Sequence, residues 1–304
     1  MPHNLGSRGK SLLNKGRSNR RQWGLGFVIL LLTLGFLVPV PTPALAVFSS
    51  GDKIFWGAMG LFSVFGAGAI AYGLWEKSRP DQPRLLNGEF YAGGFLGVAF
   101  TPNQDLRYQD GIVLNQGVNG KEGPVTLRNN QFANSLTWGV KLGYFFHSIP
   151  YLGLEVESSY NNSYVHRRTL SLNRPIQGMS QATVPNDFWI NWTTALHIVG
   201  RYGFLPDKEV PFGRLQPYVG IGPSVIVLYE EVDSGKNFSF DVMAGLRYMI
   251  TKNISSFVEY KYNHQREADI DAHPFYLPNG TEGRGMTYLG FDVHKIVTGL
   301  AYHW

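Results

Sequence analysis

The sequence predicts an all-β chain: an eight-stranded antiparallel up-and-down transmembrane barrel, preceded by a signal peptide and a short apolar helical segment. Three observations carry this. From Glu89 onward, polar and apolar residues alternate with period two over eight segments. The connections between those segments are alternately long and short. The last segment keeps its alternation to the final residue, Trp304.

Composition narrows the function classes first. The 304 residues are 44% apolar and 14% aromatic, which excludes a disordered chain. With no Cys, a disulfide scaffold, a thiolate zinc site and thiol catalysis are excluded. The formal charge of +5 invites a nucleic-acid partner, but its location removes that idea. Arg8, Lys10, Lys15, Arg17, Arg20 and Arg21 lie in residues 1–46, where there is no acid. The remaining 21 Lys and Arg face 22 Asp and Glu, so no nucleic-acid partner is expected.

Residues 1–46 have the layout of a secretory signal: a basic region ending at Arg21, an apolar run from Leu25 to Val40, and Ala44-Leu45-Ala46 as a small-x-small cleavage pattern. A retained membrane anchor is the alternative, but Pro39, Pro41 and Pro43 break the helix just before Ala46. Residues 47–88 form an apolar helical segment and a linker. The run from Ile54 to Trp75 carries no charged residue, and on a helix Trp56 and Trp75 would lie about 28 Å apart. Gly60, Ser63, Ala67 and Ala71 make a small-residue ridge suited to close packing against a partner membrane helix. A Gly/Ala-rich interfacial segment is the other reading. Glu76 to Asn87, with Pro80 and Pro83, reads as the linker.

The barrel, residues 89–304, is expected to have strands at 89–100, 134–146, 151–166, 187–204, 214–230, 238–250, 254–266 and 290–304. Long polar loops occupy 101–133, 167–186 and 267–289, with tight turns at 147–150 and 251–253. Strands of this length exceed those of soluble sheets, and closure removes the edges that lipid would not tolerate. Pro223 falls within a strand, so a bulge or a rim position is expected there.

The two faces of the alternation differ. One carries Leu136, Trp138, Val140, Leu142 and Tyr144, then Phe188, Ile190, Trp192, Leu196, Ile198 and Tyr202, then Phe240, Val242, Leu246, Tyr248 and Ile250. Aromatics gather toward strand ends with aliphatics between, as interfacial girdles do. The opposite face carries Lys141, Glu155, Glu157, His197, Arg201, Asp241, Arg247, Glu259, Lys261 and Lys295. On a soluble barrel this would be a solvated surface. Inside a narrow membrane barrel it would be a lumen charge network of near-balanced pairs.

At the C-terminus Ile296, Thr298, Leu300, Tyr302 and Trp304 share one face. Together with Tyr218 to Gly222, Phe240 to Tyr248 and Phe257 to Tyr262, this resembles the opacity-type, OmpA-transmembrane-domain-like family of eight-stranded outer-membrane barrels. The resemblance covers about 89–304. It implies a bacterial outer-membrane location, both barrel termini in the periplasm, outer-membrane lipids and the barrel-assembly machinery as partners, and a C-terminal assembly signal in Ile296, Leu300, Tyr302 and Trp304. Residues 47–88 depart from the family pattern.

Catalysis is not expected. Outer-membrane deacylases of similar size carry a His-x-Ser pair on a lipid-facing strand, and this sequence has none. His147-Ser148 would point to opposite faces. Asp269-x-Asp271-x-His273 is the one local metal-like cluster and reads better as a solvated loop, so no metal and no cofactor are expected. The interior of an eight-stranded barrel is just wide enough for side chains to fill it. The expected role is therefore structural or loop-mediated binding, with Arg107, Tyr108, Phe132, Arg167, Arg168, Arg174, Phe275 and Tyr276 as candidate anchors for an unidentified ligand. The alternatives are a narrow pore for ions or small solutes and a lipid A-modifying enzyme. A partner reached through 54–75 would make the chain a subunit of a larger membrane assembly.

Overall fold

The computed structural model describes residues 88–304 apart from 116–119, 230–233 and 272–273. The expectations for the leader and for 54–75, including the ridge of Gly60, Ser63, Ala67 and Ala71, fall outside the described residues.

In chain order, β1 (Glu89–Phe100) is followed by four short strands, β2 (Gln104–Tyr108), β3 (Ile112–Leu114), β4 (Gly120–Glu122) and β5 (Val125–Asn130). Two long strands come next, β6 (Ser135–Phe145) and β7 (Leu152–Val165), then β8 (Arg168–Ile176) and β9 (Met179–Val184). Four more long strands follow: β10 (Asp187–Arg201), β11 (Leu215–Tyr229), β12 (Ser234–Met249) and β13 (Ile254–Gln265). Then come β14 (Ala268–Asp271), β15 (Phe275–Tyr276), β16 (Glu282–Arg284), β17 (Met286–Leu289) and finally β18 (Asp292–His303).

The eight long strands close into an antiparallel barrel in the order β1-β18-β13-β12-β11-β10-β7-β6. β1 supplies the closure, pairing Gly94 with Leu300 of β18 on one side and with Val140 of β6 on the other. Alternation decides the faces: Leu96, Leu136, Ile198, Val219, Val258 and Ile296 point outward and are exposed, while their neighbours point in. Every expected barrel strand is present, with each end within four residues of its expected position.

Two expectations are corrected. Pro223 is neither at a rim nor in a bulge that shifts the register. It sits in mid-strand opposite Phe240, and the β10–β11 register is the same on both sides of it, at Ala195↔Ser224 and at Ile198↔Ile221. Pairing is interrupted only between those points, where proline has no N–H to give the ladder.

The second correction concerns the long connections. Those at 101–133, 167–186 and 267–289 are strands for much of their length. They form a second sheet of ten short strands, ordered β14-β17-β2-β5-β8-β9-β15-β16-β3-β4. The physical reason is local: β5 buries Val125 and Leu127, and β8 buries Leu170, Leu172 and Ile176, each against partners supplied by a different connection. The β8–β9 hairpin turns on Gln177-Gly178, both with positive φ (50° and 78°), the geometry that matches strand twist in two-residue turns.

Candidate functional site

The barrel interior is built from the inward positions of all eight strands. Near its termini-bearing end, two glycines make room for two tyrosines. A Cβ at Gly143 would lie 2.2 Å from Tyr91 Cζ, and one at Gly245 would lie 2.6 Å from Tyr218 Cζ. The ring faces so placed receive the Arg247 guanidinium, 4.3 Å from the Tyr91 centroid and 5.2 Å from that of Tyr218. The two hydroxyls donate to carboxylates: Tyr91 to Glu155 at 2.5 Å, and Tyr218 to Glu259.

Above this layer the charges interlock. Lys141 Nζ reaches Glu259, Glu155 at 3.4 Å and Glu157 at 3.8 Å. Lys261 reaches Glu157, and Glu259 at 3.3 Å. His197 lies between Glu155 (Nδ1 to Oε1, 3.5 Å) and Asp241 (Nε2 to Oδ1, 3.8 Å). Lys295 donates to Ser159 Oγ at 3.1 Å. At the rim, Arg201 lies over Phe145, 3.6 Å from its ring centroid, with the Phe212 ring 4.4 Å away. All ten residues of the sequence-derived network are buried: Lys141, Glu155, Glu157, His197, Arg201, Asp241, Arg247, Glu259, Lys261 and Lys295.

Glu89, the first residue of β1, was not in that set. It accepts from Arg201 and from His303 Nδ1 at 2.6 Å, and it raises the interior anions to five, matching the five Lys and Arg. The signal that could have found it is period two, since Glu89, Tyr91 and Phe95 share a face. Tyr91, Tyr218 and His303 also lie on inward faces, and the search for charges did not single them out.

Glu155, Glu157 and His197 could offer three metal-ligand atoms within 4.8 Å of one another. The carboxylates are already engaged by Lys141 and Lys261. A divalent ion would add charge to a balanced interior, and its donors would first have to release two ammonium groups.

Toward the other end the interior turns apolar. Ala99, Val165, Trp189, Ile226, Leu228 and Val293 of the barrel strands share one buried cluster with Leu106, Leu127, Leu170, Ile270 and Leu289 of the second sheet. Within it Phe291 is edge-on to Phe132 at 5.1 Å and to Trp189 at 5.8 Å. Tyr108, Phe132 and Phe275, read from sequence as ligand anchors, are instead core residues here. Arg174 is held by Glu122 at 3.3 Å and by the carbonyls of Gly123 and Pro124. Arg107, Arg167, Arg168 and Tyr276 remain on the surface.

Outside the barrel wall, at the same end, sequence reasoning missed a polar group on β13 and β18. Asp292 accepts from Tyr262 at 3.1 Å and lies 2.7 Å from His264 Nδ1, while Tyr260 meets His294 at 2.6 Å. An adjoining open cleft of about 570 Å³ is lined by Gln109, His264, Gln265, Arg266, Glu267, Asp269 and Tyr288. Such a His–Asp pair can fix a tautomer, but its hydrogen-bond partners are a carboxylate and a phenol, not a serine. The terminal residues Ile296, Leu300 and Tyr302 are exposed on the outward face. Trp304 follows on that face, its ring 6.1 Å from both Tyr302 and Phe90.

Residues 62–303 match the family model described as the outer membrane protein beta-barrel domain; the match begins within the segment preceding β1. No curated protein matches the chain. Among solved structures it is similar to the outer membrane protein OprG from Pseudomonas aeruginosa (13% identity, 72% of this chain and 97% of that one, TM-score 0.43). It is also similar to Neisserial surface protein A (11%, 71% and 99%, 0.38) and to the outer membrane protease OmpT from Escherichia coli (12%, 74% and 99%, 0.38).

Proposed function

The chain belongs to the outer membrane protein beta-barrel domain family, and we propose that in the bacterial outer membrane it is a non-enzymatic, non-conducting barrel that carries a rigid binding platform. The observation that carries this reading is the shared apolar cluster around Phe291, which joins the barrel mouth to the ten-stranded sheet. An apolar layer above a paired-charge layer leaves an ion no hydrated route. Buried strands in place of loose loops also fix the outer surface before any partner arrives, which lowers the cost of binding.

Long connections lie on the cell exterior in barrels of this type, and short turns in the periplasm. That orientation puts the second sheet outside, with Arg107, Arg167, Arg168 and Tyr276 as its presented groups. The assembly role of Ile296, Leu300, Tyr302 and Trp304 and an unidentified loop partner belong to the same proposal.

The test is trypsin treatment of intact cells with liposome swelling on the purified protein. A platform predicts slow cleavage at Arg128, Arg167 and Arg168 and no swelling in sugars or amino acids. Rapid cleavage at all three, or swelling, contradicts it.

A further inference from the structure

The connection between β10 and β11 runs past the barrel rim as a hairpin. Its pairing continues beyond Arg201: Tyr202 N donates to Pro217 O (3.0 Å), and Phe204 and Leu215 exchange bonds of 2.7 and 3.1 Å. Arg214 N then donates to Leu205 O at 3.1 Å. The hairpin has two unlike faces. Tyr202, Phe204 and Leu205 are 63%, 49% and 64% exposed, whereas Val210 is buried and the Phe212 ring faces Arg201.

Its tip is polar and locked. Arg214 bonds Asp207, Glu209 (2.7 Å) and the carbonyls of Met249 and Ile250 (3.1 and 3.0 Å). Leu205 has φ of 56°, a region that a leucine backbone enters only at a cost. The fold thus turns an apolar side chain away from the protein by a strained backbone, just before a charged tip.

We propose that the Tyr202–Phe204–Leu205 face is seated in the membrane leaflet at the termini-bearing end, making this hairpin an interfacial anchor. The occupant is lipid by continuity. Ile198, Tyr202 and Phe204 prolong the outward row of β10, and the Tyr202 and Phe204 rings meet at 4.9 Å. Asp207, Lys208 and Glu209 then supply the polar edge that an interfacial element presents to headgroups and water. The outward apolar row of β10 thus runs past the end of the strand at Arg201, an extension that a bilayer meets by tilt or local deformation. The proposal rests on the outer-membrane reading of the barrel.

The absence of native Cys makes the test direct. Single Leu205→Cys, Leu136→Cys and Lys208→Cys variants of the full chain would be spin-labelled in phosphatidylethanolamine/phosphatidylglycerol vesicles. Each would first be verified as folded by its heat-modifiable gel shift. Power saturation with oxygen and with a nickel chelate should group position 205 with 136, both favouring oxygen, and set 208 apart. A label at 205 that favours nickel overturns the proposal. So does one shielded from both reagents, which would mean a protein cover. A label at 136 that does not favour oxygen would instead contradict the membrane barrel itself.

Discussion

Arg201 on β10 donates to both carboxylate oxygens of Glu89 on β1, at 3.1 and 2.5 Å, across 112 residues of sequence and across the barrel interior. The two strands are not neighbours in the barrel. The pair thus ties together two walls separated by β6 and β7 at the end where the chain enters, and His303 brings β18 to the same carboxylate.

Removing one partner should cost more than removing both. Arg201→Met leaves Glu89 desolvated with His303 alone, and we expect a loss of about 2 kcal/mol, less than for a fully buried pair because Glu89 is partly exposed. Adding Glu89→Gln should recover part of the loss. Urea titration of the folded gel band for the two single variants and the double variant measures this coupling.

The central charges carry the larger penalty. Glu259→Ala takes an acceptor from both Lys141 and Lys261 and leaves the Tyr218 hydroxyl without its carboxylate, and should cost about 3–5 kcal/mol. Arg247→Ala should destabilise through lost ring contacts in the same range. If neither lowers the temperature at which the folded band disappears, the inward assignment is wrong.

Phe291 tests the link between barrel and platform. Phe291→Ala removes a ring packed on Phe132 and Trp189 and should cost about 3–5 kcal/mol. Mass spectrometry of limited digests should show new nicks within 101–133. An unchanged digest would mean that the second sheet stands without the shared core.

The hairpin tip should respond to acid in a defined direction. The Val210 backbone N–H and the Arg214 guanidinium hold the Asp207 carboxyl below the usual range, and Arg214 followed by the Lys252 N–H does so for Glu209. Folded values below unfolded ones mean that this stabilisation is present above about pH 4, the ordinary carboxylate range, and is lost as pH falls through the folded values. In micelles, the Val210 amide shift should titrate below that range. Arg214→Met should move the midpoint up, and the two proteins should converge in acid.

How much was readable in advance depended on length. Strands of eleven residues or more announce themselves, because at least five positions on each face average out exceptions such as Pro223. β3, β15 and β16 span two or three residues each, too few to show a period, and their partners come from other connections. Tyr108 and Phe275 therefore looked like exposed anchors when they are each other's packing partners, 5.4 Å apart. The charged interior was legible as a set of ten residues. Which carboxylate each lysine would meet was not, since Lys141 and Glu259 are 118 residues apart. Glu89 escaped because a strand's first residue has no preceding alternation to place it.

The most direct measurement is single-channel conductance of the folded protein in a planar bilayer. A paired-charge interior beneath the Phe132–Trp189–Phe291 layer predicts no discrete conductance steps. Reproducible steps, reduced by substitution of Lys141, Arg247 or Lys261, would make the barrel a pore and contradict the account.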